Sequence, residues 1–332
     1  MKRGTLILLL ATLAATTALA QTPPQPRRPV ATYSIVARDA ATGEMGVAVQ
    51  SHWFSVGPIV AWAEAGVGAI ATQSFVDPAY GEKGLAGMRR GRSAPDVLKA
   101  LVAADAGRDV RQVAMIDARG NVGAHTGAKC IAAAGHTSRG GQFSVQANLM
   151  EHDTVWPAMA RAFESAKGDL TERLLAALEA AEREGGDIRG RQSAAIVVVK
   201  AKSTGKPWPG GDVVVDLRVE DHPAPLEELR RLVRVHRAYV HMNNGDLCAE
   251  KKDWPCAARE YGAAEKLMPE QAEVTFWHAV TLVTAGRVEE ALPLFRRVFA
   301  REPKWAELVG RLPASDLLPN DPALIARIRA QK

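Results

Sequence analysis

The chain has 332 residues, with 42 Lys and Arg against 37 Asp and Glu and only three cysteines. That length can hold a proper core and two domains. The near balance of charge, with no basic block interleaved with aromatics, argues against nucleic-acid binding, and the absence of C-x-x-C spacing argues against a structural zinc site.

The chain opens on Met1-Lys2-Arg3, runs through a mostly apolar stretch from Thr5 to Leu19 and closes it with Ala18-Leu19-Ala20. A charged start, a short apolar run and small residues three and one before a cut describe a secretory signal peptide, residues 1–20. No Cys follows Ala20, so no lipid anchor is expected there. Lys2 and Arg3 leave with the leader, which takes the formal charge from +5 to +3. Residues 21–31, QTPPQPRRPVA, read as a Pro-rich extended tether. No later run is long and apolar enough to span a bilayer, so a protein free of stable membrane insertion, periplasmic or secreted, is expected.

Thr32–Ala37 and Met45–Ser51 carry strand composition around the turn Asp39–Gly43, and strand pattern returns at Val67–Ser74. Residues 78–89 and 93–104 are helical in period, the second with Ser93 as N-cap and Pro95 in its first turn. Arg111–Asp117 and Val122–Thr126 alternate as a hairpin about Arg119-Gly120-Asn121. Phe143–Leu149 reads as a strand, 153–166 and 170–184 as helices, and Gln192–Lys200 and Val213–Val219 as closing strands. This order fits two β layers with helices outside them and neither a Rossmann alternation nor a barrel. No G-x-G-x-x-G, Walker A, G-x-S-x-G or H-E-x-x-H pattern occurs, and no cofactor is expected.

Polar residues gather where these strands end: Thr32 and Ser34; Gln50, Ser51 and His52; Thr72, Gln73 and Ser74; Gln146 and Asn148; Arg191, Gln192 and Ser193. Sites assemble at strand ends and the loops beyond them, although any one such Ser or Asn is more often a local cap. His125, Cys130 and His136 give H-x4-C-x5-H, which is not a zinc-ligand spacing; a loop with small-residue packing in GAKCIAAAGH is the expectation there.

The stretches TYSIVARDAATGEMGVAVQSHWFSVG, WAEAGVGAIATQSF, YGEKGLAGMRRG, RQVAMIDARGNVGAHTG, VQANLM and GGDIRGRQSAAIVVV resemble the DUF1028 family over about residues 32–221. The resemblance implies an α+β fold, a four-layer αββα sandwich of the N-terminal-nucleophile hydrolase type. It implies no established substrate. Shorter relatives open with Met-Thr-aromatic-Ser-Ile-Val, which sets Thr32 at the position that Met removal exposes. A terminal Thr brings its own base, because its α-amine can take the hydroxyl proton. On that resemblance Thr32 is the candidate nucleophile, Asn148 the candidate oxyanion donor, and His52 a group that tunes the amine or binds a substrate acid. Ser34, Ser51, Gln73 and Arg191 are candidates for substrate contact. Signal peptidase, however, would leave Gln21 at the terminus, eleven residues before Thr32. Three outcomes stay open: trimming after Ala31, action of Ser34 or Ser51 with His52, or binding without catalysis. A β-branched residue that merely starts a strand is as good an account of Thr32 as a nucleophile.

After Pro223 the pattern turns continuously helical over about residues 225–312, with 313–332 as a tail. Ala257, Tyr261 and Pro269 recur as Ala291, Phe295 and Pro303, a period of 34 that resembles tetratricopeptide repeats, with Gly245 and Ala279 as the small residues of each first helix. Cys248 and Cys256 flank the turn between the first two helices and are a disulfide candidate in an oxidising compartment. Two readings compete: an exported amide-bond hydrolase acting on a small peptide, an amino-acid amide or a cell-wall fragment, and a non-catalytic envelope protein that binds a small ligand or scaffolds partners through the helical module. Homo-oligomerisation stays open in both.

Overall fold

The structure, a computed structural model, describes residues 29–139 and 142–332. The leader and residues 21–28 of the expected tether lie outside the described residues. In chain order the first region runs β1 (Thr32–Arg38), β2 (Met45–Ser51), α1 (Gly57–Val60), β3 (Ala61–Glu64), β4 (Gly68–Ser74), α2 (Ala79–Arg89), α3 (Ala94–Ala104), β5 (Arg111–Asp117), β6 (Val122–Thr126), β7 (Gly135–Arg139), β8 (Phe143–Asn148), α4 (Val155–Ser165), α5 (Leu170–Arg183), β9 (Ser193–Val199) and β10 (Val213–Val219). The second runs α6 (Pro225–Glu250), α7 (Trp254–Leu267), α8 (Ala272–Thr284), α9 (Val288–Arg301), α10 (Trp305–Val309) and α11 (Pro322–Arg329).

The strands form two separate antiparallel sheets, one of six in the order β10-β9-β2-β1-β8-β7 and one of four in the order β3-β4-β5-β6. Strand alternation sorts their side chains. Val36, Val47, Val49, Ala69, Ala71, Ala114, Ile116, Ala195 and Val197 fill the space between the sheets. The alternate residues Tyr33, Ile35, Ala48, Val145 and Ile196 pack instead with Met159, Phe163, Leu174 and Leu178 of α4 and α5. Ile70, Val113 and Met115 pack with Leu85, Met88, Val97 and Leu98 of α2 and α3. Helices α3 and α5 start where side chains supply the missing acceptors: Ser93 Oγ takes the Asp96 amide at 3.3 Å and Asp169 takes the Glu172 amide at 3.0 Å.

Three points depart from the sequence reading. Residues 61–64, given no element from sequence, form a strand, and a strand at 135–139 takes in the end of the GAKCIAAAGH stretch expected as loop; both lie at sheet edges, where one neighbour is missing and a strongly apolar face is not required. The tether does not run free to Thr32. Val30 and Ala31 are buried, and Val30 pairs with Ser74, its amide donating to the Ser74 carbonyl at 2.7 Å and its carbonyl accepting from Ser74 at 3.0 Å. Two apolar residues in line with β1 gain more from burial than from water, which ends the tether at Pro29. The tail is also built in: Asp321 caps α11, and Leu318 and Ile328 join the core of α8 and α9.

The C-terminal region is mostly helical. Gly245, Ala257, Tyr261, Ala279, Ala291 and Phe295 are all buried. A Cβ on Gly245 would meet the Tyr261 ring at 2.7 Å, so the close approach of α6 and α7 requires glycine there. Cys248 and Cys256 are joined by a disulfide between Cα atoms 5.7 Å apart. No helix among the described residues is long and apolar enough to cross a membrane.

Candidate functional site

The space between the sheets is apolar at one end and polar at the other. Along β1 the inward residues read Val36, Ser34, Thr32; along β5 they read Ile116, Ala114, Gln112; along β4, Ala69, Ala71, Gln73. Register then sets the polar residues side by side. In the six-stranded sheet Asn148, Thr32, Ser51 and Ser193 form one row, with Ser34 and Gln146 paired behind it. In the facing sheet Gln73, Gln112 and Thr126 form the opposing row. All of these except Thr126 are buried.

Buried polar groups need partners, and here they find one another. Ser34 Oγ donates to Gln73 Oε1 at 2.6 Å and accepts from Gln146 Nε2 at 2.5 Å. Gln73 Nε2 donates to Gln112 Oε1 at 2.7 Å and reaches the Thr32 carbonyl at 3.1 Å. Asn148 Nδ2 donates to Gln112 Oε1 at 2.9 Å and lies 3.5 Å from the Thr32 carbonyl. Gln112 Nε2, with two hydrogens, has three acceptors in reach: the Ala147 carbonyl at 2.8 Å, Thr126 Oγ1 at 3.0 Å and the Gly135 carbonyl at 3.2 Å. The Asn148 Oδ1 atom is buried without a protein partner.

Thr32 carries a peptide bond and no free amine. Its hydroxyl donates to the Val30 carbonyl at 2.7 Å. The carbonyl of the preceding Ala31 receives two donors, the Ser51 hydroxyl and Arg189 Nη2 at 3.0 Å, and Arg189 Nη1 lies 3.4 Å from the Pro29 carbonyl. Asp187 aims that guanidinium. Its carboxylate has no exposed surface, takes Arg189 Nε at 3.1 Å, Arg189 Nη2 at 2.8 Å and the Arg189 amide at 2.9 Å, and also takes the His52 amide at 3.2 Å. Gly185 and Gly186, at φ of 101° and 63°, reverse the chain after α5 and deliver Asp187 across the sheet end. Ser74 and Leu149, which end β4 and β8 at this same edge, hold φ of 68° and 59°, a left-handed backbone that costs roughly 1–2 kcal/mol for each non-glycine residue.

Beyond Pro29 the site opens into a depression of about 700 Å³ lined by His52, Phe54, Ile131, Leu149 and Arg189, among others. His52 Nδ1 is buried there without a protein partner, while Phe54 at the rim is 63% exposed.

Of the residues singled out from sequence, Thr32, Ser34, Ser51, Gln73 and Asn148 come together, and His52 stands at the mouth. Arg191 lies elsewhere: its Nε pairs with Glu182 Oε1 at 2.5 Å, and Glu182 also holds the hydroxyl of Tyr33, on the α5 side of the sheet. Burial first, and then the Glu182 charge, push that phenol well above its ordinary range. The arginine at Thr32 is Arg189, two residues earlier in GGDIRGR, and sequence alone offers no means of telling the two apart. Gln112 and Asp187 were also missed; the alternation that puts Gln112 in line with Ala114 and Ile116 was a usable signal for the first.

His125, Cys130 and His136 each have other bonds: His125 Nε2 with the Arg108 carbonyl at 2.8 Å, Cys130 Sγ with the Arg111 carbonyl at 3.4 Å, and His136 Nδ1 with Thr126 Oγ1 at 2.9 Å. Burial raises the Cys130 thiol above its ordinary pKa. Among the described residues no three His, Cys, Asp or Glu side chains are grouped to hold a metal.

Comparison with known proteins gives a family and no activity. The sequence profile of a family of unknown function, DUF1028, matches residues 32–229. A crystal structure of protein SPO2555 from Silicibacter pomeroyi, of the same family, is similar at 31% identity and a TM-score of 0.55, over 61% of this chain and 85% of that one. No functionally curated protein matches.

Proposed function

The chain belongs to the DUF1028 family, whose function is unknown, and from the groups around Thr32 we propose that it is an exported amide-bond hydrolase of the N-terminal-nucleophile type, held with Thr32 masked until residues 29–31 leave. Two sheets packed face to face with α2 and α3 outside one and α4 and α5 outside the other support the four-layer αββα arrangement of that class. The leader-like start, read from sequence, supports export to the periplasm or beyond.

The observation that carries the reading is the pair of donors on the Ala31 carbonyl, beside the Thr32 hydroxyl. An acyl group on the nitrogen of a threonine and one on its oxygen are related through a five-membered ring, so the two carbonyl positions lie close together. Ser51 and Arg189 are therefore placed to receive the oxyanion of an acyl group on Thr32 Oγ1. Hydrolysis of the Ala31–Thr32 bond consumes one water and yields the Ala31 carboxylate and the Thr32 amine. In the reaction that follows, the amine takes the Oγ1 proton while the oxygen attacks the substrate amide carbon. The C–N bond breaks, the leaving amine departs with that proton, and water then cleaves the Thr32 ester to release the acid. Asn148, on the neighbouring strand in register with Thr32, is a further donor.

The test is the N-terminal sequence and intact mass of the naturally exported protein, followed by hydrolysis of a panel of peptide and amino-acid amides. A chain that begins at Thr32, with amide hydrolysis lost in Thr32→Ala, supports the reading. A chain that keeps residues 29–31 and hydrolyses nothing overturns it.

One observation favours a second reading. Ala31 has no exposed surface, which shields its peptide bond from proteases in the folded molecule. A domain that keeps the segment binds a small ligand at the mouth without catalysis. The helical pairs, with buried small and aromatic residues repeating at 34-residue spacing, then scaffold a protein partner in tetratricopeptide fashion.

A further inference from the structure

We propose that the groove filled by Pro29–Ala31 is a recognition site for an extended peptide whose residue in the Ala31 place is small, the segment standing in it as a built-in ligand. The inference rests on the reading above, in that the segment has to leave before another peptide can enter.

Every polar contact between the groove and residues 29–31 is made to their main chain. Val30 exchanges two backbone hydrogen bonds with Ser74, at 2.7 and 3.0 Å, as an added strand does. Arg189 spans two carbonyls, that of Pro29 at 3.4 Å and that of Ala31 at 3.0 Å, and Ser51 adds a second donor to the latter. Such contacts bind any peptide in extended form and leave selection to the side-chain places. The Ala31 place is closed, with no exposed surface around the methyl group. Val30 is 1% exposed and packs in the apolar cluster between the sheets, which suits a branched aliphatic residue. At Pro29 the groove opens onto Phe54, Ile131 and Leu149, so residues further out meet an apolar rim that tolerates bulk. When the segment leaves, Arg189 stays anchored by Asp187 through Nε and Nη2, with Nη1 and the second N–H of Nη2 released, and the Ser74 amide and carbonyl lose their partners. A buried site that has lost those partners favours whatever restores them. The chemistry that does so is a peptide acyl group with a small residue at its carbonyl end, or the carboxylate left after cleavage.

The probe is acetyl-Pro-Val-Ala with a free carboxylate, titrated calorimetrically into the whole chain and into a chain beginning at Thr32, which keeps the full span matched by the family profile. The shortened chain is expected to bind it, the whole chain at least tenfold more weakly, because the tethered segment competes at a high effective concentration. Arg189→Met in the shortened chain, and acetyl-Pro-Val-Phe as ligand, are each expected to weaken binding at least tenfold. If the shortened chain does not melt cooperatively, Val30→Asp in the whole chain replaces it, since an unpaired carboxylate is not retained in that apolar place and the segment is displaced. Absence of binding by a folded chain with the groove open overturns the proposal, as does equal affinity for the Ala and Phe peptides. The same protein is assayed for amide hydrolysis. Peptide binding without hydrolysis overturns the enzyme reading and leaves this one standing; hydrolysis that acetyl-Pro-Val-Ala does not inhibit does the reverse.

Discussion

Gln112 joins the two sheets through one side chain. Its Oε1 takes Gln73 and Asn148, and its Nε2 reaches β8, β6 and the carbonyl at the start of β7. Leucine fills the same volume but takes the Gln112 acceptor from both amides, which keep only longer bonds such as those to the Thr32 carbonyl, and takes a donor from the buried Ala147 carbonyl, at roughly 1–3 kcal/mol for each unmet group. Relaxation recovers part of that, so Gln112→Leu is expected to destabilise by about 2–4 kcal/mol in urea unfolding. A loss below 0.5 kcal/mol would show that the network contributes little to the join. Asp117 does comparable work at the apolar end. It accepts from the amides of Ala94, Arg119 and Asn121 and from the Asn121 side chain, which ties the β5–β6 turn to the start of α3. Burial raises its pKa, but the bonds from Asn121 and from the amides outweigh burial and leave it below the ordinary carboxylate value. A depressed folded pKa gives stability that is complete above the unfolded value near ~3.9 and is lost as pH falls through the folded one. Asp117→Asn is therefore expected to cost about 1–3 kcal/mol at pH 7, with a gap to the parent chain that narrows as pH drops below 4. Melting curves at pH 7 and pH 3 check this, and an unchanged gap would remove Asp117 from the acid response.

Glycine decides how closely the elements approach. A Cβ on Gly81 of α2 would meet the Trp62 ring of β3 at 2.2 Å, and an indole has no slender end to move aside. Alanine would gain about 1 kcal/mol of helix propensity, against about 1–3 kcal/mol or more for overpacking. The clash wins at that distance, so Gly81→Ala is expected to lower stability by up to about 2 kcal/mol; a raised melting temperature would show that α2 slides at no cost. The outer elements were the legible ones. Period 3.6, with Ser93 as cap of the first, located α3 and α5 to within a residue, and strand pattern located β5, β6 and β10. β3 and β7 escaped because a four-residue AWAE and a polar GHTSR at sheet edges carry no strong period. In the candidate site, strand-end residues such as Thr32, Ser51 and Asn148 could be read, because polar residues stand out on apolar strands. The Asp187–Arg189 pair could not, because a loop arginine is marked only by what it reaches across the fold. Val30 and Ala31 were hidden by the prolines and arginines before them, which set the tone of the whole stretch.

At the scale of the molecule, the α/β and helical regions are joined by one helix and not by a linker. Along α6, Leu226, Leu229 and Val233 are buried with Leu174, Val215 and Val219 in the core of the α/β region, while Ala238 and Met242 are buried with Tyr261 and Ala264 in the helical one. Arg230 pairs with Glu172 and Glu179, and Arg237 with Asp169 and Glu172, all on or beside α5. The family profile ends at residue 229, inside this helix, which is consistent with its first turns belonging to the α/β unit. Exposed or half-exposed ion pairs contribute little, so the apolar residues decide the matter. Losing three buried aliphatic side chains removes roughly 1.5–3 kcal/mol apiece, a large share of the 5–15 kcal/mol that holds an ordinary domain. A chain ending at Asp221 is thus expected to unfold at least 3 kcal/mol more easily than one ending at Lys252, and Leu229→Ala in the whole chain to cost about 2–5 kcal/mol. Urea unfolding of the three proteins, followed by Trp fluorescence, tests this. Equal stability of the two shortened chains would mean that α6 rests on the sheet without stabilising it, and the helical region would then be free to move as a separate body.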